Sequence, residues 1–221
     1  MFGATLPAVT HLRGKGASLG RLLIGLVVFE VVGNLAILAA HRQARRRHAA
    51  AAAEWANGAP NAHEASAHLW RSGRPTPDTY AAVAAAGVST IVDLRAEGGD
   101  GPDPGLGLEV VRLPTRDGQP PGADTITQLG EILATGVGPV LVHCAAGVGR
   151  TGSAVAARRI IDDALTPPAA LGELLAVGPP SLEQIVFVLG LPDRVRPPRI
   201  AVVISRVLDA PRRTWSLLKE W

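Results

Sequence analysis

The segment around the only cysteine strongly restricts how this chain can fold. It comprises residues 140–160, "VLVHCAAGVGRTGSAVAARRI". A nearly continuous apolar run ends at Cys144, and such a run suits a strand that is buried on both faces. The segment that starts at Arg150 has helical spacing. The residues between the two are small and include two glycines, which allow a tight turn. The chain must therefore pass from a buried strand into a helix through a short loop around its one thiol.

The loop after Cys144 has the features of an anion-binding site. Successive N–H groups of a tight glycine-containing turn can point inward, and the N-terminus of the following helix adds positive charge. The same environment favours the thiolate form of cysteine, which is the nucleophile. The planar fork of Arg150 can bind two phosphate oxygens. The residues expected to bind the anion are Ala145, Ala146, Gly147, Val148, Gly149 and Arg150.

A single cysteine excludes a disulfide within the chain. Four roles are then open to Cys144: an inert core residue, an intermolecular crosslink, a metal ligand or a reactive thiol. No CxxC or HxxxH spacing supplies partners for a metal, and no GK[ST] follows the glycines as a Walker loop requires. An inert cysteine would leave the preceding histidine and the following Arg-Thr-Gly unexplained, so the pattern favours a reactive thiol.

The residues "HCAAGVGRTG" resemble the HCxxxxxR[ST]G signature of the cysteine-dependent protein tyrosine phosphatase superfamily. The resemblance implies that Cys144 forms a phosphocysteine intermediate and that Arg150 binds phosphate in the ground and transition states. Thr151 would offer its hydroxyl to the cysteine sulfur, and His143 would hold the loop by hydrogen bonds. The resemblance implies no metal and no other cofactor.

This chemistry also requires a general acid on a separate loop. Asp117, in "LPTRDGQPP", is the best candidate because it follows a strand-like segment and lies among Gly and Pro residues suited to a mobile loop. The alternative for Asp117 is an ordinary turn residue, since Asp-Gly is a common turn pair. Asp124 precedes a helical pattern and is expected to cap it. Asp93, in "IVDLR", is interpreted as a structural acid at a strand end.

The surrounding pattern alternates strands and helices. "VSTIVDLR", "LEVVRLP" and "PVLVHC" are typical of strands, whereas "DTITQLGEILATG" and residues 168–176 and 181–190 are helical. In "TPDTYAAVAAAG", Thr76 is a possible N-cap, Pro77 suits the first helical position and Gly87 ends the helix. The fold class predicted is α/β, with a small, mostly parallel central sheet flanked by helices.

The resemblance extends over about residues 68–192. "LWRSGRP" is similar to the opening strand and turn of small dual-specificity-type phosphatases, and "PPSLEQIVFV" to their late helix. In that helix Gln184 would help to position water, the alternative being an exposed helical glutamine. The region is too short for the large tyrosine-specific domain and has no "KNRY" tyrosine-recognition loop.

Protein phosphotyrosine, with possible phosphoserine or phosphothreonine, is therefore the leading substrate class. One alternative is a lipid phosphatase acting on phosphoinositides or phosphatidylglycerophosphate, although "AAGVG" lacks the extra basic residues common in phosphoinositide-directed relatives. The other is a pseudophosphatase that binds phosphorylated partners without turnover.

An apolar segment near the N-terminus indicates a membrane helix. Residues 22–40 carry one formal charge, Glu30, and one strongly polar group, Asn34, and at about 1.5 Å per residue they cross a hydrocarbon core of about 30 Å. A cleaved signal peptide and a soluble helix are the alternatives. The basic residues after the segment slightly outnumber those before it, which favours a single-pass protein with a cytoplasmic catalytic domain. They are Arg42, Arg45, Arg46 and Arg47, against Arg13, Lys15 and Arg21.

The remaining segments are predicted from composition. Residues 41–67 suggest a basic juxtamembrane helix and a loose linker, in which His63 and His68 are expected to be solvated. The tail is interpreted as one or two amphipathic basic helices interrupted at Pro211, which dock on the domain or lie on an anionic membrane. The basic residues do not interleave with aromatics, so nucleic-acid binding is not expected. The predicted divisions are 1–21, 22–40, 41–67, 68–192 and 193–221.

Overall fold

A computed structural model of the chain describes residues 10–52, 59–97 and 104–219, and the side chains of residues 19–51, 59–97 and 105–210. Within these ranges five strands form one sheet in the order β1-β2-β5-β3-β4. Only the β1–β2 pair is antiparallel, so the predicted α/β fold with a mostly parallel sheet is confirmed. The strands are β1 (His63–Glu64), β2 (Leu69–Ser72), β3 (Thr90–Arg95), β4 (Glu109–Thr115) and β5 (Val140–His143).

Helices cover the sheet and extend from it. The α2 helix begins as its sequence predicts, because Thr76 accepts a hydrogen bond from the N–H of Thr79 and Pro77 occupies the first turn. Gly87, just beyond its end, has a φ of 92°. The helices are α1 (Thr10–Arg47), α2 (Pro77–Ala85), α3 (Ala123–Thr135), α4 (Gly149–Asp162), α5 (Pro167–Val177), α6 (Leu182–Gly190) and α7 (Arg199–Lys219), with short 3-10 turns at Ala50–Ala52 and Pro104–Leu106.

Strand β5 lies at the centre of the sheet and determines where the loop emerges. Val140, Leu141 and Val142 are completely buried, as expected for an apolar strand covered on both faces. His143 is opposite Ser72 of β2 and Asp93 of β3. The carboxyl ends of three parallel strands therefore meet at the residue that precedes Cys144.

The segment predicted to be a loose linker is partly ordered. Helix α1 continues to Arg47, and β1 pairs with the opening strand of the sheet. His63 lies in β1 and is buried, which corrects the expectation that it is solvated, whereas His68 is exposed as expected. Burial, together with the charge of Arg71, lowers the pKa of His63 to about 4. A strand of two residues is too short to leave a periodic signal in the sequence.

The C-terminal tail is one helix, and its first half docks on the domain. The predicted interruption at Pro211 is wrong, because α7 runs from Arg199 to Lys219. A proline removes one helical hydrogen bond and clashes locally, but the bonds on either side can maintain the helix. Ser205 accepts a hydrogen bond from the N–H of Glu183 in α6, and the carbonyl of Leu208 accepts one from the Asn34 side chain in α1.

Helix α1 contains an apolar stretch that is long enough to cross a membrane. The stretch Leu19–Arg47 has a mean hydropathy of 2.4 over its most apolar window, none of which is buried. Farther along the helix, Ala44 packs with Leu175 and Ala176 of α5. The exposed large apolar side chains in its first part include Leu22, Leu23, Ile24, Val27, Val28, Phe29, Val31, Val32 and Leu35.

Candidate active site at the carboxyl end of the sheet

The loop around Cys144 directs the N–H of Gly147 inward, as its sequence suggested. Cys144 is only 3% exposed, and its Sγ accepts a hydrogen bond from the N–H of Gly147 at 3.3 Å. Gly147 has a φ of 74°, and a Cβ there would lie 2.5 Å from the nitrogen of Gly73. Glycine is therefore needed both for the backbone conformation and for the close approach of β2 to the loop.

Arg150 lies in the first turn of α4 and contacts two carboxylates, those of Glu97 and Asp117. Its Nη1 and Nη2 donate to Oε2 and Oε1 of Glu97 at 2.7 and 2.8 Å, and Nη2 lies 3.2 Å from Oδ1 of Asp117. Burial alone would lower the pKa of Arg150, but the hydrogen bond to Glu97 and the charges of Cys144, Asp117 and Glu97 raise it. The Nε–H of Arg150 has no acceptor within the described ranges.

These groups line one open cleft. Its volume is about 580 Å³, and its walls include Glu97, Arg116, Asp117, Cys144 and Arg150. Asp117 follows β4 on a turn in which Gly118 has a φ of 74°, and its side chain is 81% exposed. The cleft therefore combines a thiol, a guanidinium group and a largely exposed carboxylate.

Asp124 is not part of this arrangement. It lies in the first turn of α3, whose N-cap residue is Gly122 and has no side-chain hydrogen bond. The prediction that Asp124 is the N-cap residue of α3 is therefore wrong, because that position is occupied by Gly122. An acidic residue in the first turn can still stabilise a helix through its favourable interaction with the helix dipole.

A buried ion pair supports the residue before the loop. Asp93 accepts hydrogen bonds from the backbone N–H, Nε and Nη2 of Arg95 at 2.8, 3.0 and 2.9 Å. Burial raises the pKa of Asp93, but these bonds hold it below its ordinary value. His143 Nδ1 donates to the carbonyl of Cys144 at 3.3 Å, and its Nε2 lies 3.9 Å from Asp93. Burial lowers the pKa of His143, so that the imidazole is neutral near pH 7.

The remaining two sequence-predicted site residues, Thr151 and Gln184, are both buried. The Thr151 hydroxyl is buried without a hydrogen-bond partner in the described part of the chain, so no bond to the sulfur is present. Gln184 is 2% exposed, which excludes the exposed alternative. It forms a capping box with Ser181, and its Nε2 donates to the carbonyl of Gln119 at 3.1 Å. Its position on α6 is thus fixed against the turn that carries Asp117.

Three residues at the site were not predicted: Asn61, Arg71 and Glu97. Arg71 had a weak signal, since it is a charged residue that directly follows Leu69 and Trp70 in a short, fully buried strand. Asn61 and Glu97 lie in irregular segments and belong to no motif. Their contacts with the loop and with Arg150 arise only when the chain is folded.

The fold and the loop are those of a cysteine-dependent phosphatase of the dual-specificity type. A family model described as "DSP-PTPase phosphatase fused to NAD+ Kinase" matches residues 42–188. Because this match covers more than half of the chain, the protein belongs to that family.

Solved structures show the same fold. The active form of Tk-PTP is 22% identical, with a TM-score of 0.53 over 63% of this chain and 99% of that one. The catalytic core of the PP-IP phosphatase SIW14 from S. cerevisiae, in complex with citrate, is 18% identical, with a TM-score of 0.50 over 59% and 85%. TpbA from P. aeruginosa is 29% identical, with a TM-score of 0.47 over 56% and 78%. No curated protein matches the chain.

Proposed function

We propose that the protein is a membrane-anchored phosphatase that hydrolyses phosphate monoesters through a phosphocysteine intermediate, with protein phosphotyrosine as its main substrate. Phosphoserine and phosphothreonine are secondary substrates. The observation that carries the proposal is the convergence of Cys144, Arg150 and Asp117 on one cleft at the carboxyl end of the sheet. Residues 68–192 supply the catalytic region.

In the first chemical step, the Cys144 thiolate attacks phosphorus and the bond from phosphorus to the ester oxygen breaks. Arg150 and the loop N–H groups bind the three non-bridging oxygens, because all of them carry negative charge in the transition state. Asp117 donates a proton to the leaving oxygen. The products of this step are the free hydroxyl compound and a phosphocysteine.

In the second step, water attacks the phosphocysteine. Asp117, now a carboxylate, accepts a proton from the water while the bond from phosphorus to sulfur breaks and inorganic phosphate forms. Thr151 donates its hydroxyl hydrogen bond to the departing sulfur after a rotation of its side chain. Gln184 helps to orient the water, and His143 holds the start of the loop through the Cys144 carbonyl.

The two carboxylates at Arg150 have different roles in this scheme. The hydrogen bonds from Arg150 hold the pKa of Glu97 below its ordinary value, so Glu97 remains ionised and holds the guanidinium in place. Asp117 has one long contact with Arg150 and is far more exposed. A bound phosphate takes the place of Asp117 on Arg150, which leaves the Asp117 side chain beside the leaving oxygen, where a general acid acts.

The anchor is proposed to be residues 22–40, with the catalytic domain in the cytoplasm. The exposed apolar surface of α1 supports insertion, and the arginines that follow it support the orientation. A cytoplasmic location keeps the single thiol reduced. The 193–221 tail contributes α7, which contacts α1 through Leu208 and α6 through Ser205.

A phosphatase acting on membrane lipids is the second candidate function, and the exposed apolar face of α1 favours it. Phosphate release by the full-length protein in detergent micelles will separate the two. Phosphotyrosine peptides, phosphoserine peptides and phosphorylated lipids are compared in parallel, with Cys144→Ser as the control. We expect turnover of phosphotyrosine peptides to exceed that of the other two classes. Cys144-dependent turnover confined to lipids would replace the first candidate by the second.

We expect Asp117→Asn to lower kcat about 100-fold for phosphotyrosine, because the leaving phenolate then departs without a proton. The loss should be much smaller for an aryl phosphate with a nitro group on the ring, whose leaving group needs no proton. Steady-state kinetics on both esters measures the difference.

Glu97→Gln is the matched control for Asp117→Asn, since it removes a carboxylate from the same guanidinium group. It should lower kcat/KM for both esters by the same factor, because Arg150 binds the phosphate and not the leaving group. An equal loss on both esters for Asp117→Asn would exclude Asp117 as the general acid.

A further inference from the structure

Groups before β1 and at the end of β2 contact the outer side of the catalytic loop at three consecutive carbonyls. The carbonyl of Ala145 accepts a hydrogen bond from the backbone N–H of Arg74 at 2.8 Å. The carbonyl of Ala146 accepts one from the Asn61 side chain at 2.7 Å, and that of Gly147 accepts one from Arg71 Nη2. Together these three donors, from Asn61, Arg71 and Arg74, form what we call the outer clamp.

The outer clamp determines where the loop N–H groups point. In a trans peptide, the carbonyl of one residue and the N–H of the next point in opposite directions. Carbonyls held outward by the clamp therefore turn the following N–H groups toward Cys144. The bond from the Gly147 N–H to the Cys144 sulfur shows this orientation for the second of the three peptides.

Arg71 also brings a buried positive charge beneath the loop. It is 2% exposed, and its Nε–H has no acceptor among the residues that the structure describes. Burial lowers the pKa of Arg71 to about 10, so the side chain is still protonated at neutral pH. A buried charge is unfavourable unless it is compensated, and here the compensation comes from the Gly147 carbonyl and nearby negative charge.

The titratable groups that face Arg71 come from three elements. His63 of β1 is neutral above its lowered pKa, Glu173 of α5 is acidic, and Cys144 begins the loop. Attraction between Arg71 and Cys144 requires the thiolate, since a neutral thiol carries no charge. Arg71 is joined to Cys144 by two successive hydrogen bonds, because Gly147 accepts from Arg71 Nη2 at its carbonyl and donates to the sulfur at its N–H. A positive charge placed this close is of the kind that stabilises a thiolate.

We propose that Asn61 and Arg71 are positioning residues of the phosphate-binding loop, and that the charge of Arg71 stabilises the Cys144 thiolate. Asn61 acts through hydrogen bonding alone. This proposal deepens the proposed function and rests on it, because it assumes that the loop binds phosphate around a thiolate.

The test is the rate at which iodoacetamide alkylates Cys144 in the full-length protein as a function of pH. In Arg71→Met we expect the midpoint of this profile to rise by about one pH unit, which corresponds to a tenfold loss of thiolate stabilisation. Arg71→Lys keeps the positive charge, so its midpoint should lie close to that of the wild type. An unchanged midpoint in folded Arg71→Met would overturn the electrostatic part of the proposal.

Asn61→Gly is the matched variant for the hydrogen-bonding part. Asn61 has a φ of 56°, which glycine adopts without strain, so this change removes the amide donor alone. We expect tungstate to bind about tenfold more weakly, with a smaller rise of the alkylation midpoint than in Arg71→Met, because the Ala146–Gly147 peptide that Asn61 holds also donates to the sulfur. Unaltered tungstate affinity would exclude Asn61 as a positioning residue. Thermal unfolding monitored by circular dichroism establishes that each variant is folded.

Failure of the proposed function would be recognised separately. Alkylation and tungstate binding do not require turnover, so they report on the outer clamp even if no phosphate ester is hydrolysed. A wild-type profile like that of a free cysteine would count against the phosphatase mechanism itself. A low wild-type midpoint that Arg71→Met leaves unchanged would count only against the clamp.

Discussion

Cys144→Ser is expected to lower kcat at least about 10⁴-fold on every substrate that the protein hydrolyses, which corresponds to about 5.5 kcal/mol of activation free energy. A serine hydroxyl is far less acidic than a thiol, so it stays protonated near neutral pH and is a much weaker nucleophile. The sulfur accepts the Gly147 N–H in a loop built around it, so the substitution removes the nucleophile and leaves the oxyanion-binding groups in place. Single-turnover assays with phosphotyrosine peptide measure the loss.

Binding measurements separate the loss of chemistry from a loss of folding. Tungstate should bind Cys144→Ser within a few-fold of the wild-type affinity, since Arg150 and the loop N–H groups remain. A variant that retained a tenth of the wild-type rate would exclude a phosphocysteine intermediate. A wild-type protein that binds tungstate and releases no phosphate from any ester would instead be a pseudophosphatase.

Arg150→Lys is expected to lower kcat/KM about 10³-fold, or about 4 kcal/mol, even though the positive charge is kept. Arg150 donates two bonds to Glu97 and one to the carbonyl of Thr115, and it retains an unused Nε–H. A lysine ammonium is a point charge without this planar fork, so it cannot hold Glu97 by two parallel bonds and still bind two phosphate oxygens. Kinetics and tungstate titration should both show the loss.

Arg158→Lys is the control for this substitution, because it is the same change on the same helix, α4. Arg158 forms an ion pair with Asp162 one turn farther on and lies away from the cleft. We expect its kcat/KM to stay within about twofold of the wild type, as is usual for exposed helical pairs. Equal losses for both variants would mean that Arg150 acts through the stability of α4 and not through phosphate.

The local elements could be predicted because each depends on residues that are close in sequence. The apolar run before Cys144, the small residues after it and the helical spacing from Arg150 are contiguous, and strand, loop and helix are observed there. Thr76 and Pro77 likewise specify the start of α2 within one turn. Asp117 was found because a candidate acid has a restricted position, on a loop after a strand.

The predictions that were wrong or left open concern features that depend on tertiary contacts. His63 lacks a periodic pattern around it, and its burial depends on pairing with β2. The burial of Gln184, which the sequence left open, depends on Ser181 and on a carbonyl of the turn after β4, and no helical periodicity describes these contacts. At Pro211 a local rule predicted a break, and the helix continues.

The sequence by itself determined the strand, the tight loop at Cys144, the helix from Arg150 and the α/β order of elements, because a tight loop and its helix need particular residues in succession. The tertiary structure alone decided which groups surround that loop. Asn61 contacts it from 85 positions away and Arg71 from 76, while Glu97 reaches Arg150 across 53. Contacts at such separations depend on parallel strand pairing, which brings the ends of distant strands to one edge of the sheet and leaves no pattern in any short segment of the chain.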